Sequence, residues 1–267
     1  MFDIIFKNVI LQVADYNFTI FALAVLFTSL TILSTGIRTL IREKASRESI
    51  FFFLIALVIF LWLFPNSFMY VSPDEETALV WSRLAFLGVP FISTALFQFS
   101  IFALRAPYSQ QQKAWIAWIL SFFFSLCALV SESFISGVKL HSWGYYPHYE
   151  WISIPFLVFF FYMLLTGLLK YYKKSQEEIS PMAKLRTRLF FRAFLIASLA
   201  TIDFLPALGV PIPPLGFIPI FSFVLLGAPA IWYYHLVDIT PALAAQEIIN
   251  NMSDALLVFD REGIVQL

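Results

Sequence analysis

The sequence predicts an all-α membrane protein: a seven-transmembrane helix bundle with the N-terminus outside and the C-terminus cytoplasmic. A C-terminal helix and an incomplete β-hairpin follow the bundle. Three observations carry this reading. Of the 267 residues, 60% are hydrophobic and 13% charged, with a mean hydropathy of +0.82. A soluble domain is about half apolar and a quarter charged, so an excess of this size requires lipid as its solvent. Seven stretches reach the roughly 20 apolar residues that a spanning helix needs. Lys and Arg are concentrated in alternate loops, as expected of a multi-pass protein of the plasma (inner) membrane.

Taken in order, Phe2, Ile5, Phe6, Val9, Ile10 and Val13 share one helical face, which predicts an outer interfacial amphipathic helix over 1–16. Met1-Phe2-Asp3 brings no basic n-region and no small-residue cleavage site follows, so the first span is expected to act as its own insertion signal. The spans run near 17–37, 50–70, 77–104, 114–135, 151–172, 187–208 and 215–236, within a domain covering 17–238. None alternates in polarity, and each is too long for a barrel strand. Ser72-Pro73-Asp74-Glu75 reads as a capping box with Pro at the first helical position, opening span three. Capping also accounts for the acidic Asp74-Glu75-Glu76 cluster without a cation. Ser180-Pro181 opens span six. Pro206, Pro211, Pro213, Pro214 and Pro219 predict broken helix between spans six and seven.

Orientation follows from charge. The loops after spans one, three and five hold twelve Lys and Arg residues, against Lys7 and Lys139 on the other side. The odd loops are therefore expected in the cytoplasm. Topology accounts for these basic stretches, and no nucleic-acid partner is inferred. The lone Cys127 has no disulfide partner and lies in an apolar run as a small hydrophobe.

Ionisable groups at membrane depth are costly and mark candidate sites. Arg83 lies about 9 Å below the outer edge of span three, and Asp203 about 24 Å up from the inner end of span six. Both fall in the outer third, level with Glu132. An outward-facing ligand pocket is expected there, with Trp81 beside Arg83 and a fourth-loop cover of His141, Trp143, Tyr145, Tyr146 and His148. A purely structural Arg83–Asp203 pair is the competing reading. His141 and His148 lack a third ligand, so no metal is predicted, and His235 reads as interfacial. No phosphate loop, catalytic triad or metalloprotease motif is visible, and span seven has no Lys for a retinal Schiff base. No cofactor is predicted.

Beyond span seven, Thr240-Pro241 opens a signalling helix over 239–253, striped by Ala242, Ala245, Ile249 and Met252. Ala255–Phe259 reads as a strand, Asp260–Gly263 as a turn and Ile264–Leu267 as a second strand. Two bare strands are not stable in water, so a cytoplasmic domain is expected to continue past Leu267.

Two segments carry a family resemblance. Leu79-Val80-Trp81-Ser82-Arg83-Leu84 looks like a Trp-x-Arg-Leu segment, and Tyr234–Pro241 leads into Ile248–Asp260, which is similar to the start of a PAS domain. Together they resemble the N-terminal seven-transmembrane region of bacterial sensor histidine kinases, found also on diguanylate cyclases. The resemblance implies a homodimeric sensor, responding to an unidentified small ligand and driving a cytoplasmic output. It implies a relay through Asp238, Thr240, Pro241, Ile249 and Met252, with 254–267 as the opening of a PAS domain. No phosphoacceptor-His segment, ATP-binding domain or cyclase signature is present, so no catalytic residue is assigned and the kinase activity implied for the full-length protein has no residues here. A small transporter or channel is the alternative. The odd span number and the absence of an inverted repeat weigh against it. A membrane-embedded enzyme using His141, His148 and Glu150 is a third reading.

Overall fold

The structure, a computed structural model, describes residues 16, 18–104, 107–178 and 181–233. The predicted amphipathic helix falls almost wholly outside the described residues. So do His235, the signalling helix, the predicted hairpin over 254–267, and Asp238, Thr240, Pro241, Ile249 and Met252.

The order is α1 (Ile20–Arg42), α2 (Arg47–Met69), α3 (Glu75–Ala85), α4 (Val89–Ala103), α5 (Tyr108–Val130), β1 (Ile135–His141), β2 (Gly144–Tyr149), α6 (Ser153–Glu177), α7 (Pro181–Ser198), a 3-10 segment (Leu199–Asp203), α8 (Phe204–Ala207) and α9 (Phe217–Tyr233). Six helical stretches are long and apolar enough to cross a membrane, with α3 and α4 counting as one and α7 running through α8. The apolar stretch described for α9, Phe217–Leu226, is shorter. The chain is thus a multi-pass membrane protein by the length and composition of its helices.

The packing forms a ring. Around it α1 meets α2, α2 meets α4, α4 meets α6, α6 meets α7, α7 meets α9, and α9 returns to α1. Helix α5 lies outside, against α4. Its outer face exposes Trp115, Ile119, Phe122 and Phe123, as a lipid-facing helix should. Lipid is as apolar as Leu, so the inner contacts rest on close packing. Phenylalanine supplies much of it: Phe156 meets Phe86, Phe134, Phe124, Phe160 and Phe204 at centroid separations of 5.7–6.0 Å.

Span three departs from the predicted single helix over 77–104. It begins two residues later than the capping box suggested, because Asp74 is the N-cap and accepts from Thr77 N at 2.8 Å. Ser72 instead donates back to Phe68 O at 2.9 Å. The span then breaks at Phe86–Gly88 before Pro90 restarts it as α4. Carbonyls freed in hydrocarbon need new donors. Helix α5 provides them: Ser125 donates to Phe86 O and Ser121 to Pro90 O, each at 3.0 Å. Thr94 and Ser121 also share a hydroxyl hydrogen bond of 2.7 Å. The break presses on α2 through Gly88, which has no Cβ.

The fourth loop corrects the all-α expectation. It forms an antiparallel hairpin in which His141 pairs with Gly144 and Lys139 with Tyr146, and a bulge falls between Ile135 and Gly137. Gly144 has φ +120° and packs directly on the Tyr70 carbonyl at the end of α2. Both strands pack on α3, and β2 also touches α8.

A methyl group at Gly88 would overlap Val58 O and lie 2.7 Å from Trp62 N. Both are backbone atoms that do not swing away. Gly88→Ala is expected to destabilise the bundle by about 1–3 kcal/mol, read as a lower thermal midpoint in detergent, while Gly137→Ala, where the nearest atom to an added Cβ is a Glu75 carboxylate oxygen at 3.9 Å, serves as the control for glycine loss.

Candidate functional site

Asp203 ends the 3-10 segment that closes α7, and its residue is 5% exposed. A lone ionisable group at such a place needs partners. Its carboxylate Oδ1 accepts from Gly216 N at 2.7 Å, and its backbone carbonyl accepts from the Tyr146 hydroxyl at 2.6 Å. Gly216 immediately precedes α9, and its own carbonyl accepts from Ile220 N. One residue therefore holds both the hairpin and the beginning of the last helix. The intervening segment 208–216 carries Gly209 at φ +93° and Pro211, Pro213 and Pro214. Its backbone N–H groups bond to main-chain carbonyls over 208–212, and the Asp203 bond holds the end next to α9.

Tyr146 is held in turn. Its ring lies parallel to Tyr70, 6.2 Å between centroids and 7° between planes. Burial, reinforced by the Asp203 charge, pushes the phenols of Tyr70 and Tyr146 well above the ordinary tyrosine range. Tyr146 thus remains a hydrogen-bond donor throughout the physiological range.

Beside Asp203, inside the ring, is a cavity of about 50 Å³. Ile59 and Trp62 of α2, Val89 of α4, Ile220 and Phe223 of α9 and Phe160 of α6 form its apolar walls. Tyr146, Tyr149, Ser198, Thr201 and Asp203 supply polar atoms. The Ser198 and Thr201 hydroxyl protons are used on Leu195 O and Ser198 O. The Tyr149 hydroxyl has no hydrogen-bond partner among the described residues. The space suits a few waters or one very small polar molecule.

The other predicted site residues lie elsewhere. Arg83 is half-buried in the last turn of α3, and its Nε is buried without a hydrogen-bond partner among the described residues. It forms no ion pair with Asp203, whose carboxylate is turned to Gly216. Trp81 is buried, stacked on Phe68 at 4.8 Å, and donates to the Tyr16 hydroxyl at 2.8 Å. It pins the chain before α1 to α3. Glu132 is exposed just after α5. His141 stacks on Trp143 at 4.6 Å and 6°, in the hairpin turn. Tyr145 pairs with Leu140, and His148 with Gly137 at the far end of the hairpin. The two histidines are therefore about 13 Å apart along the strands. Among the described residues no three His, Cys, Asp or Glu side chains gather as a metal group. Of the predicted set, Asp203 and Tyr146 line the cavity. The sequence reading passed over Tyr149 and Gly216, although the proline-rich segment next to Asp203 marked the region.

The chain matches no protein-family model, and no curated protein is significantly similar to it.

Asp203→Leu leaves the buried Gly216 N–H without an acceptor, a loss of about 1–3 kcal/mol. Asp203→Asn keeps an oxygen there and is expected to retain most of that stability. Thermal unfolding of both variants in the same detergent measures the difference, and equal midpoints would show that the carboxylate does not anchor α9.

Proposed function

We propose that this chain is the membrane-embedded sensory input module of a signal-transduction protein, with a sensor histidine kinase as the class of the full-length molecule. The observation that carries the reading is the double role of Asp203. A change at the hairpin reaches its carbonyl through Tyr146, and a change in its carboxylate reaches Gly216 and the first turn of α9. The cavity borders the same residue and both of its partners' elements. A stimulus acts by having different affinity for two arrangements of this joint.

In this reading α9 is the seventh crossing. The hairpin faces outward and the chain leaves α9 into the cytoplasm, in keeping with the distribution of Lys and Arg. The PAS-like opening after residue 253 supports a cytoplasmic output, and Asp238, Thr240 and Pro241 form the path to it.

Two measurements test the proposal. With Cys127 replaced by Ser, a cysteine at Lys139 is expected to react with a membrane-impermeant maleimide on intact cells, and one at Lys44 only after lysis. In the full-length protein, Tyr146→Phe removes a donor worth about 1 kcal/mol, so its basal phosphoryl-transfer output is expected to move about fivefold. Wild-type basal and stimulated output from both Tyr146→Phe and Asp203→Asn would exclude Asp203 as the relay. Robust solute flux through the protein in liposomes would favour a transporter instead.

A further inference from the structure

Helices α5 and α6 both lean on α4 and leave a groove between them, a space of about 360 Å³ floored by Phe97. The floor is sealed by a buried apolar cluster of Phe97, Ile101, Ala114, Ala117 and Met163. The two helices run antiparallel, so position along the groove sorts by chemistry. One end carries Gln110 and Lys113 from α5 with Thr166 and Lys170 from α6. The other carries Leu120 and Phe159. From Lys113 to Leu120 is about 10 Å along the helix. Lys113 lies about 7 Å inside the start of α5, and Lys170 about 10 Å inside the end of α6. Both are thus one to two turns below the helix ends, where headgroups meet hydrocarbon.

The lysines are not neutralised by protein. The ion pair on α6 joins Lys174 to Glu178 at 3.6 Å, and neither Lys113 nor Lys170 meets a carboxylate among the described residues. The Lys170 Nζ lies 5.5 Å from the centre of the Phe97 ring, so it is drawn into the groove rather than out to water. Two like charges beside each other at the rim of an apolar slot leave an anion missing. A free phosphate would satisfy the rim and leave the slot beneath unfilled.

We infer that the α5–α6 groove binds an anionic phospholipid, with its phosphate between Lys113 and Lys170 and an acyl chain along Leu120 and Phe159. This matches the general use of basic pockets between membrane helices for anionic headgroups. It is independent of the sensory reading and holds for any activity of the bundle.

The test uses the purified protein in nanodiscs, with spin-labelled phosphatidylglycerol and spin-labelled phosphatidylcholine of identical chains as probes. The motionally restricted fraction is expected to favour phosphatidylglycerol about 30-fold at low salt, since each of the two lysines contributes about 1 kcal/mol. Lys113→Gln with Lys170→Gln should abolish the preference and leave the thermal midpoint unchanged. Lys173→Gln, an exposed lysine of α6 outside the groove, should keep it. Equal retention of the two lipids by the wild type, or an unchanged preference in the double variant, overturns the proposal. So does competition by glycerol 3-phosphate at the lipid's own concentration, which would reduce the site to a phosphate site. Loss of labelled lipid as the protein is concentrated would assign the groove to a second copy instead.

Discussion

Hydrocarbon offers no hydrogen bonds, and most of the unusual features of this bundle answer that single constraint. Where a helix remains regular, the backbone satisfies itself, and hydroxyls such as Thr28, Ser67 and Thr166 fold back on carbonyls of their own helix. Where it breaks, a side chain from a neighbour must arrive. Ser121 and Ser125 do this for the α3–α4 break, and Asp203 and Tyr146 do it between α7 and α9. The breaks therefore dictate which helices must touch. Helix α5 stays on α4 although it lies outside the ring, because its serines are needed there.

The same constraint separates what was legible in the sequence from what was not. Long apolar runs can do only one thing in lipid, so the helices were readable from composition and length. Asp203 was readable as costly, and the run of prolines as a break. The partners were legible only in part: Tyr146 was expected over the pocket, but not as a donor to the Asp203 carbonyl. Tyr146 belongs to a hairpin whose signal was hidden by Pro147 within β2 and by a Ser142-Trp143 turn with no Asn-Gly or Asp-Gly pair. The Phe86–Gly88 break was hidden because its residues are as apolar as the helices around it. The elements that carry Arg83 and Asp203 both reach the hairpin. Depth alone does not give azimuth, and the Asp203 carboxylate was already taken by Gly216.

Charge and shape serve separate purposes on the two sides of the molecule. Near the hairpin, Tyr146 and Asp203 are buried and paired, while Arg83 Nε and Trp143 Nε1 are buried without a hydrogen-bond partner among the described residues. At the opposite end of α5 and α6 the polar groups are lysines open to the headgroup region. The first arrangement is suited to two discrete packings, and the second to fixing the bundle's height and neighbours in its leaflet.

The repairing hydrogen bonds share one feature: their acceptors are mostly main-chain carbonyls, at Phe86, Pro90 and Asp203. A carbonyl is supplied by every amino acid, whereas the hydroxyl that reaches it is supplied by few. Evolutionary drift at the two ends of each bond should then be lopsided. As far as these bonds are concerned the accepting residue can change, although Asp203 is also held by the bond of its carboxylate to Gly216, and the donating serines and tyrosine cannot. Ancestry would survive longest in scattered Ser and Tyr positions rather than in the apolar bulk that makes up most of the chain's length.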